Sequence, residues 1–165
     1  MSDKHLSTQF DAELSGISTR VLEMGGLVEA QVAQSVEALI NFSGDLAATV
    51  LKTEERVNAM EVEIDRDLSS IIARRQPTAR DLRLLIAISK ATANLERAGD
   101  EADKIARMVK SIISSGAARA LPASELRVAA DLASGLLRKA VKEIVLTPGT
   151  TVTVSSENLG KYAGI

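Results

Sequence analysis

Residues 6–39 read LSTQFDAELSGISTRVLEMGGLVEAQVAQSVEAL, and apolar side chains fall at Leu6, Phe10, Leu14, Ile17, Val21, Met24, Val28, Val32, Val36 and Leu39. Nine steps cover 33 residues, about 3.67 per step, which is the period of one face of a long α-helix and not the alternation of a strand. Ser43, Gly44 and Asp45 interrupt the pattern, which resumes at Leu46, Val50, Val57, Met60, Ile64, Leu68 and Ile71 and stops before Gln76 and Pro77. A third stripe follows Thr78, a helix-capping residue with Asp81 in the N3 position, through Leu85, Ile88, Leu95, Ala102, Ile105, Val109 and Ile112 to Ser114, Ser115 and Gly116. Helices with one apolar stripe are unstable alone in water. The economical solution is an all-α, antiparallel three-helix bundle over residues 5–116 with short turns.

Beyond it, Pro122 opens a fourth, partial helix over residues 121–143, with a stripe at Leu126, Ala129, Leu132, Leu136, Leu137 and Val141. From Ile144 the composition changes. Residues 144–165 are rich in β-branched side chains and glycine, and the expectation there is a strand-like or disordered C-terminal tail.

Composition removes several function classes. Among 165 residues there is no cysteine, which leaves no disulfide framework, thiolate metal site or cysteine nucleophile, and a single histidine, His5, which removes most histidine-based catalysis and zinc chemistry. No apolar run suits a signal peptide or a membrane span, so a cytoplasmic protein without membrane insertion is expected. The net charge of −2 argues against nucleic acid as a partner. That charge is unevenly spread, with 5 Lys/Arg against 13 Asp/Glu in residues 1–73 and 15 against 9 in residues 74–165. Packing of acidic helices against basic ones is the simplest consequence, ahead of a charged docking face.

Two clusters carry candidate chemistry. Carboxylates one helical turn apart occur at Glu61 with Asp65, Glu63 with Asp67, and Glu96 with Asp100. Chance alone supplies about three such pairs in a chain of this acidity, so spacing proves nothing. The first and third, however, border the apolar stripes of neighbouring helices, next to the small Gly99. Four carboxylates brought together there would repel one another unless a hard cation or basic residues lay between them. Ion pairs with Arg66, Arg97 and Lys104 are the alternative. The second cluster is Arg74, Arg75, Arg80 and Arg83 at the turn between helices 2 and 3. It suits an anion or a partner, although the helix dipole favours arginine at a helix end in any case.

The run MEVEIDRDLSSIIARRQPTARDLRLLIAISKATANLERAGDEADKIAR, residues 60–107, resembles the first repeat of the PhoU family of bacterial phosphate-transport accessory and phosphate-signalling proteins. RRQPTARDLR (74–83) and LERAGDEADKIAR (95–107) are its most specific words, and QFDAELSGISTRVLEMGGLVEAQV (9–32) is similar to the family's first helix. The resemblance implies a non-enzymatic negative regulator of the phosphate (Pho) regulon and of phosphate uptake. Such a protein is a cytoplasmic adaptor between the ATPase of a phosphate ABC transporter and a sensor histidine kinase, peripheral at the inner membrane. Some members bind multinuclear iron or other metal clusters through E/D-x-x-x-D motifs. Carried over, those motifs implicate Glu61, Asp65, Glu96 and Asp100, with Asp103 one turn further along, in holding iron, zinc, manganese or magnesium. They leave the Arg74, Arg75, Arg80 and Arg83 turn for partners. A usual member continues through a second repeat, of which this sequence supplies only a first helix, so a homodimer restoring the lost packing is expected. The alternative function is a metal-free helical interaction module, or an inactive truncated fragment of the family. A carboxylate-bridged oxidase is disfavoured because its Glu-x-x-His ligands are absent.

Overall fold

The computed structural model describes residues 2–117 and 120–146, and the described residues form an antiparallel helical bundle. Its elements are α1 (Ser2–Asn41), α2 (Gly44–Arg75), α3 (Ala79–Ser115) and α4 (Ala123–Leu146). At 40 residues, α1 runs for about 60 Å and carries contacts to all three other helices.

Each joint follows from the residues at it. Phe42 turns the chain at φ 47°, and the Ser43 hydroxyl then accepts a hydrogen bond from the Leu46 amide, so Gly44 and Asp45 belong to the first turn of α2. Gln76 closes α2 in the left-handed region at φ 45°, its amide donating to the Ile72 carbonyl at 3.2 Å. Thr78 occupies the N-cap of α3, but its hydroxyl donates to the Asp81 carboxylate at 2.9 Å and does not cap the backbone. Gly116, at φ 67°, ends α3 where a residue without Cβ suffers no strain.

The core has two parts. Ile17, Val21, Met24 and Val28 of α1 pack with Val57, Ile64, Leu68 and Ile71 of α2 and with Leu85, Ile88 and Leu95 of α3. Towards the α1–α2 turn a smaller cluster joins Ala38, Ala47, Val50, Ala102, Ala106 and Val109. Between them lies a polar layer built by the buried Gln31, Ser35, Glu54 and Asp103, with the buried Gly99 beside Glu54.

Ion pairs between helices meet part of the charge asymmetry, through Glu13, Glu29 and Glu37. Glu29 and Glu37 of α1 pair with Arg138 and Arg127 of α4, while Glu13, Glu23 and Arg20 of α1 pair with Arg74 and Arg75, Arg56, and Asp67 of α2. Helix α4 approaches α1 closely at Gly25, where a Cβ would stand 3.1 Å from both methyl groups of Val141.

Helix α4 departs from expectation in two respects. It continues through Leu146, past the expected end at Glu143, so that residues 144–146 are helical; the remainder of the expected tail, 147–165, lies outside the described residues. Its inward face is set by Ala130, Ser134 and Val141, whereas Ala129 and Leu136 of the expected stripe are exposed. No described helix is long and apolar enough to cross a membrane.

Candidate metal centre

The α2–α3 seam gathers the acidic residues. Stripe spacing puts Glu61 and Asp65 on the edge of α2 that borders α3, and Glu96 and Asp100 on the facing edge of α3. Glu61 is held above the ordinary carboxylate value, first by partial burial and then by the charges of Glu96, Asp65 and Asp100. Four of the five expected acids therefore share one electrostatic field. Asp65 also accepts a hydrogen bond from the Ser89 hydroxyl at 3.0 Å.

The tightest grouping includes a residue that the spacing of acid pairs did not reveal. Carboxylate oxygens of Glu54, Glu96 and Asp100 all lie within 4.8 Å of one another. Glu54 is 6% exposed, and burial is the main reason that its carboxyl sits above the ordinary value. A hydrogen bond from Gln31 opposes the shift, while Asp100, Asp103 and Glu96 add to it. The signal for Glu54 was the gap in the α2 stripe between Val50 and Val57, which this carboxylate fills at helical spacing.

Fit to a cation can be judged from the unfilled hydrogen-bonding capacity around Glu54. Gln31 Nε2 donates to Glu54 Oε2 at 2.6 Å and, longer, to the Val50 carbonyl at 3.4 Å. Gln31 Oε1 and Glu54 Oε1 are sealed from solvent with no hydrogen-bond partner among the described residues. Buried polar atoms are rarely left so. A donor set made only of oxygen, with an orphaned carboxylate oxygen, suits a hard cation and offers none of the sulfur or nitrogen that zinc prefers. Arg66 and Arg97 form no salt bridge among the described residues, and Lys104 is bonded to Glu101 at 2.7 Å while its charge also acts on Asp100. Asp103 is different: Arg107 grips both of its oxygens, at 2.6 and 3.2 Å. The Glu63–Asp67 pair stands apart from the seam, with Asp67 bound to Arg20 of α1.

The arginine turn also divides. Arg74 and Arg75 both reach Glu13 of α1, Arg75 through Nη2 at 3.0 Å, and this charge-assisted bonding holds Glu13 below the ordinary carboxylate value. Arg80 and Arg83 are exposed and make no hydrogen bond or salt bridge among the described residues.

Comparison with known proteins follows the same residues. The PhoU domain profile matches residues 21–109, which contain the acidic seam and the whole arginine turn. A phosphate-specific transport system accessory protein PhoU homolog from Burkholderia sp. is 44% identical over 146 residues, covering 88% of this chain and 62% of that protein. The Escherichia coli K12 phosphate-specific transport system accessory protein PhoU is 53% identical over 105 residues, 64% of this chain and 44% of that protein. The crystal structure of PhoU from Pseudomonas aeruginosa superposes with a TM-score of 0.77 at 39% identity, covering 83% of this chain and 65% of that one. The chain thus spans less than two thirds of the length of these relatives.

Proposed function

The chain belongs to the PhoU family, whose profile matches more than half of it, and from that premise we propose that it is a negative regulator of the phosphate regulon and of phosphate uptake. It acts as a cytoplasmic adaptor at the inner face of the membrane, touching the ATPase of the phosphate ABC transporter and a sensor histidine kinase. The observation that carries this reading is the 53% identity to a phosphate-specific transport accessory protein, sustained over 105 residues.

The α2–α3 seam is its cation site. Glu54, Glu96 and Asp100 would hold the ion, with Glu61 and Asp65 beside them; manganese, iron or magnesium suit these oxygens better than zinc. A bound cation would supply positive charge to offset the repulsion among these carboxylates, which would hold α2 against α3 through it. Asp103 serves as the partner of Arg107 and stands behind the cluster.

Arg80 and Arg83 are the partner-facing charges of the turn, whereas Arg74 and Arg75 tie α2 to α1 through Glu13. Two copies of the chain associate. Capture of the transporter ATPase and of the kinase by the tagged chain tests the adaptor reading: both should be retained, and loss of neither in an R80E/R83E variant would remove that turn from the interface.

A further inference from the structure

Helix α1 contributes an amide to the edge of the acidic seam. Gln31 follows Val28 along the buried face of α1 and is itself fully buried, where an amide is costly unless both of its ends are bonded. One end is: Nε2 donates to Glu54 Oε2 at 2.6 Å, and because an ionised carboxylate only accepts, this bond fixes which end of the amide is nitrogen. The carbonyl end has no hydrogen-bond partner among the described residues, and neither has Glu54 Oε1. Donors of the surrounding polar layer are spent elsewhere. Ser35 donates to the Val32 carbonyl at 2.8 Å, Thr92 to the Ile88 carbonyl at 2.9 Å, and Arg107 to Asp103 at 2.6 Å.

The unbonded oxygen faces a hollow. Gly99 has no side chain, and the place its Cβ would take is 3.2 Å from Gln31 Oε1 and 2.7 Å from Glu54 Oε2. Glu96, Gly99 and Asp100 share an arc of about 100° on α3, so the hollow lies on the side of the helix that carries the two seam acids. Oxygens of α1 and α2 therefore converge beside the carboxylates of α3. Acceptors gathered in this way match a hard cation, for which an amide carbonyl is a ligand alongside carboxylates.

We infer that Gln31 is a cation ligand: its carbonyl oxygen joins the carboxylates of Glu54, Glu96 and Asp100, so that three helices hold the ion instead of two. The inference deepens the proposed cation site and rests on it. Each end of the amide then has a use, the nitrogen holding Glu54 and the oxygen meeting the ion. Occupancy of the site ties α1 to α2 and α3.

The test is titration of the full chain with manganese chloride, read by the electron paramagnetic resonance of the free ion. Infrared difference spectra of loaded against metal-free protein and melts in chelator accompany it. Gln31→Met keeps the length of the side chain and removes its oxygen; manganese affinity is expected to fall at least about tenfold, the lower end of what even the supporting groups of a metal site contribute. Gln31→Glu keeps an oxygen at this position. In chelator it should melt below the wild type, because a further carboxylate is buried beside Glu54, yet it should bind manganese at least as tightly. Damage to the fold would lower both quantities together. In the wild type the side-chain amide carbonyl band should shift on loading, and that shift should be missing from Gln31→Met. An amide that only braces Glu54, or whose oxygen meets a buried water, predicts neither the loss of affinity nor the shift. Manganese affinity within about twofold of wild type in Gln31→Met, Gln31→Glu binding as weakly as Gln31→Met, or an unshifted band in the wild type overturns Gln31 as a ligand and leaves the acidic site standing. A wild type that takes up no manganese overturns both.

Discussion

Gly99 of α3 lies against the carboxylate of Glu54 of α2: a Cβ at position 99 would stand 2.7 Å from Glu54 Oε2 and 3.2 Å from Gln31 Oε1. A glycine in mid-helix costs about 1 kcal/mol relative to alanine. Here it makes room for a buried carboxylate hydrogen-bonded to an amide from a third helix. Gly99→Ala therefore sets a propensity gain of about 1 kcal/mol against an overpacking cost of roughly 1–3 kcal/mol. Stability should fall by no more than about 2 kcal/mol, yet the carboxylate must move. The measurement is a thermal melt with and without manganese: the stabilisation expected for the wild type should be lost in G99A although the protein remains folded.

Glu54→Gln separates the charge of the same residue from its shape. Without divalent cation the variant should be more stable than wild type at neutral pH, because a buried ionised carboxylate beside Glu96 and Asp100 is replaced by a neutral amide. For a chain of this size the rise in Tm is about 2–4 °C per kcal/mol. With manganese the order should reverse, since the ion stabilises only the chain that binds it. Equal stabilisation of both chains by the metal would remove Glu54 from the site.

Dependence on pH follows from two opposing sets. Burial and neighbouring acids hold Glu54 and Glu61 above 4.5, so the fold bears their repulsion above their folded values and is relieved of it as pH falls through them. Hydrogen bonds from Arg75, Arg138 and Arg127 hold Glu13, Glu29 and Glu37 below 4.5. Their contribution is complete above 4.5 and lost as pH falls through the lower folded values. Melts in chelator should therefore show stability rising on mild acidification from neutral pH, then falling below about 4.5. Glu54→Gln should flatten the rise and leave the fall.

Reversing Glu13 distinguishes the two halves of the arginine turn. Glu13→Lys should lower stability by about 1 kcal/mol, because Arg74 and Arg75 lose their shared partner and meet a like charge. It should not alter partner capture, whereas R80E/R83E should weaken capture with Tm unchanged. Differential scanning fluorimetry beside the capture assay reads both effects.

Most of this fold is legible in the sequence because its punctuation is strong. Three stripes of helical period, Ser43, Pro77, Gly116 and Pro122 mark the elements to within a few residues. Helix α4 was less legible because it carries apolar residues on two faces, and periodicity does not say which one finds a partner; the small Ala130 and Ser134 pack inward while Leu136 and Val128 face out. The β-branched Ile144 and Val145 suggested a strand, but a helix already propagating absorbs such residues at little cost. At the candidate site, four acids at i,i+4 spacing were visible. Glu54 was not, because a carboxylate inside an apolar stripe interrupts the pattern used to read it. Its role shows only once Gln31 and Gly99, 23 and 45 positions away in sequence, are placed beside it.

Regulation of phosphate uptake through the acidic seam is the proposal on which the other roles depend. The most direct measurement is alkaline phosphatase activity in phosphate-rich medium, in bacteria lacking their own PhoU and expressing either this chain or its E54Q/D100N variant. Repression by the wild-type chain and high activity with the variant at equal protein level are expected; high activity with both, from folded protein, would contradict the regulatory role, and repression by both would contradict the part given to the seam.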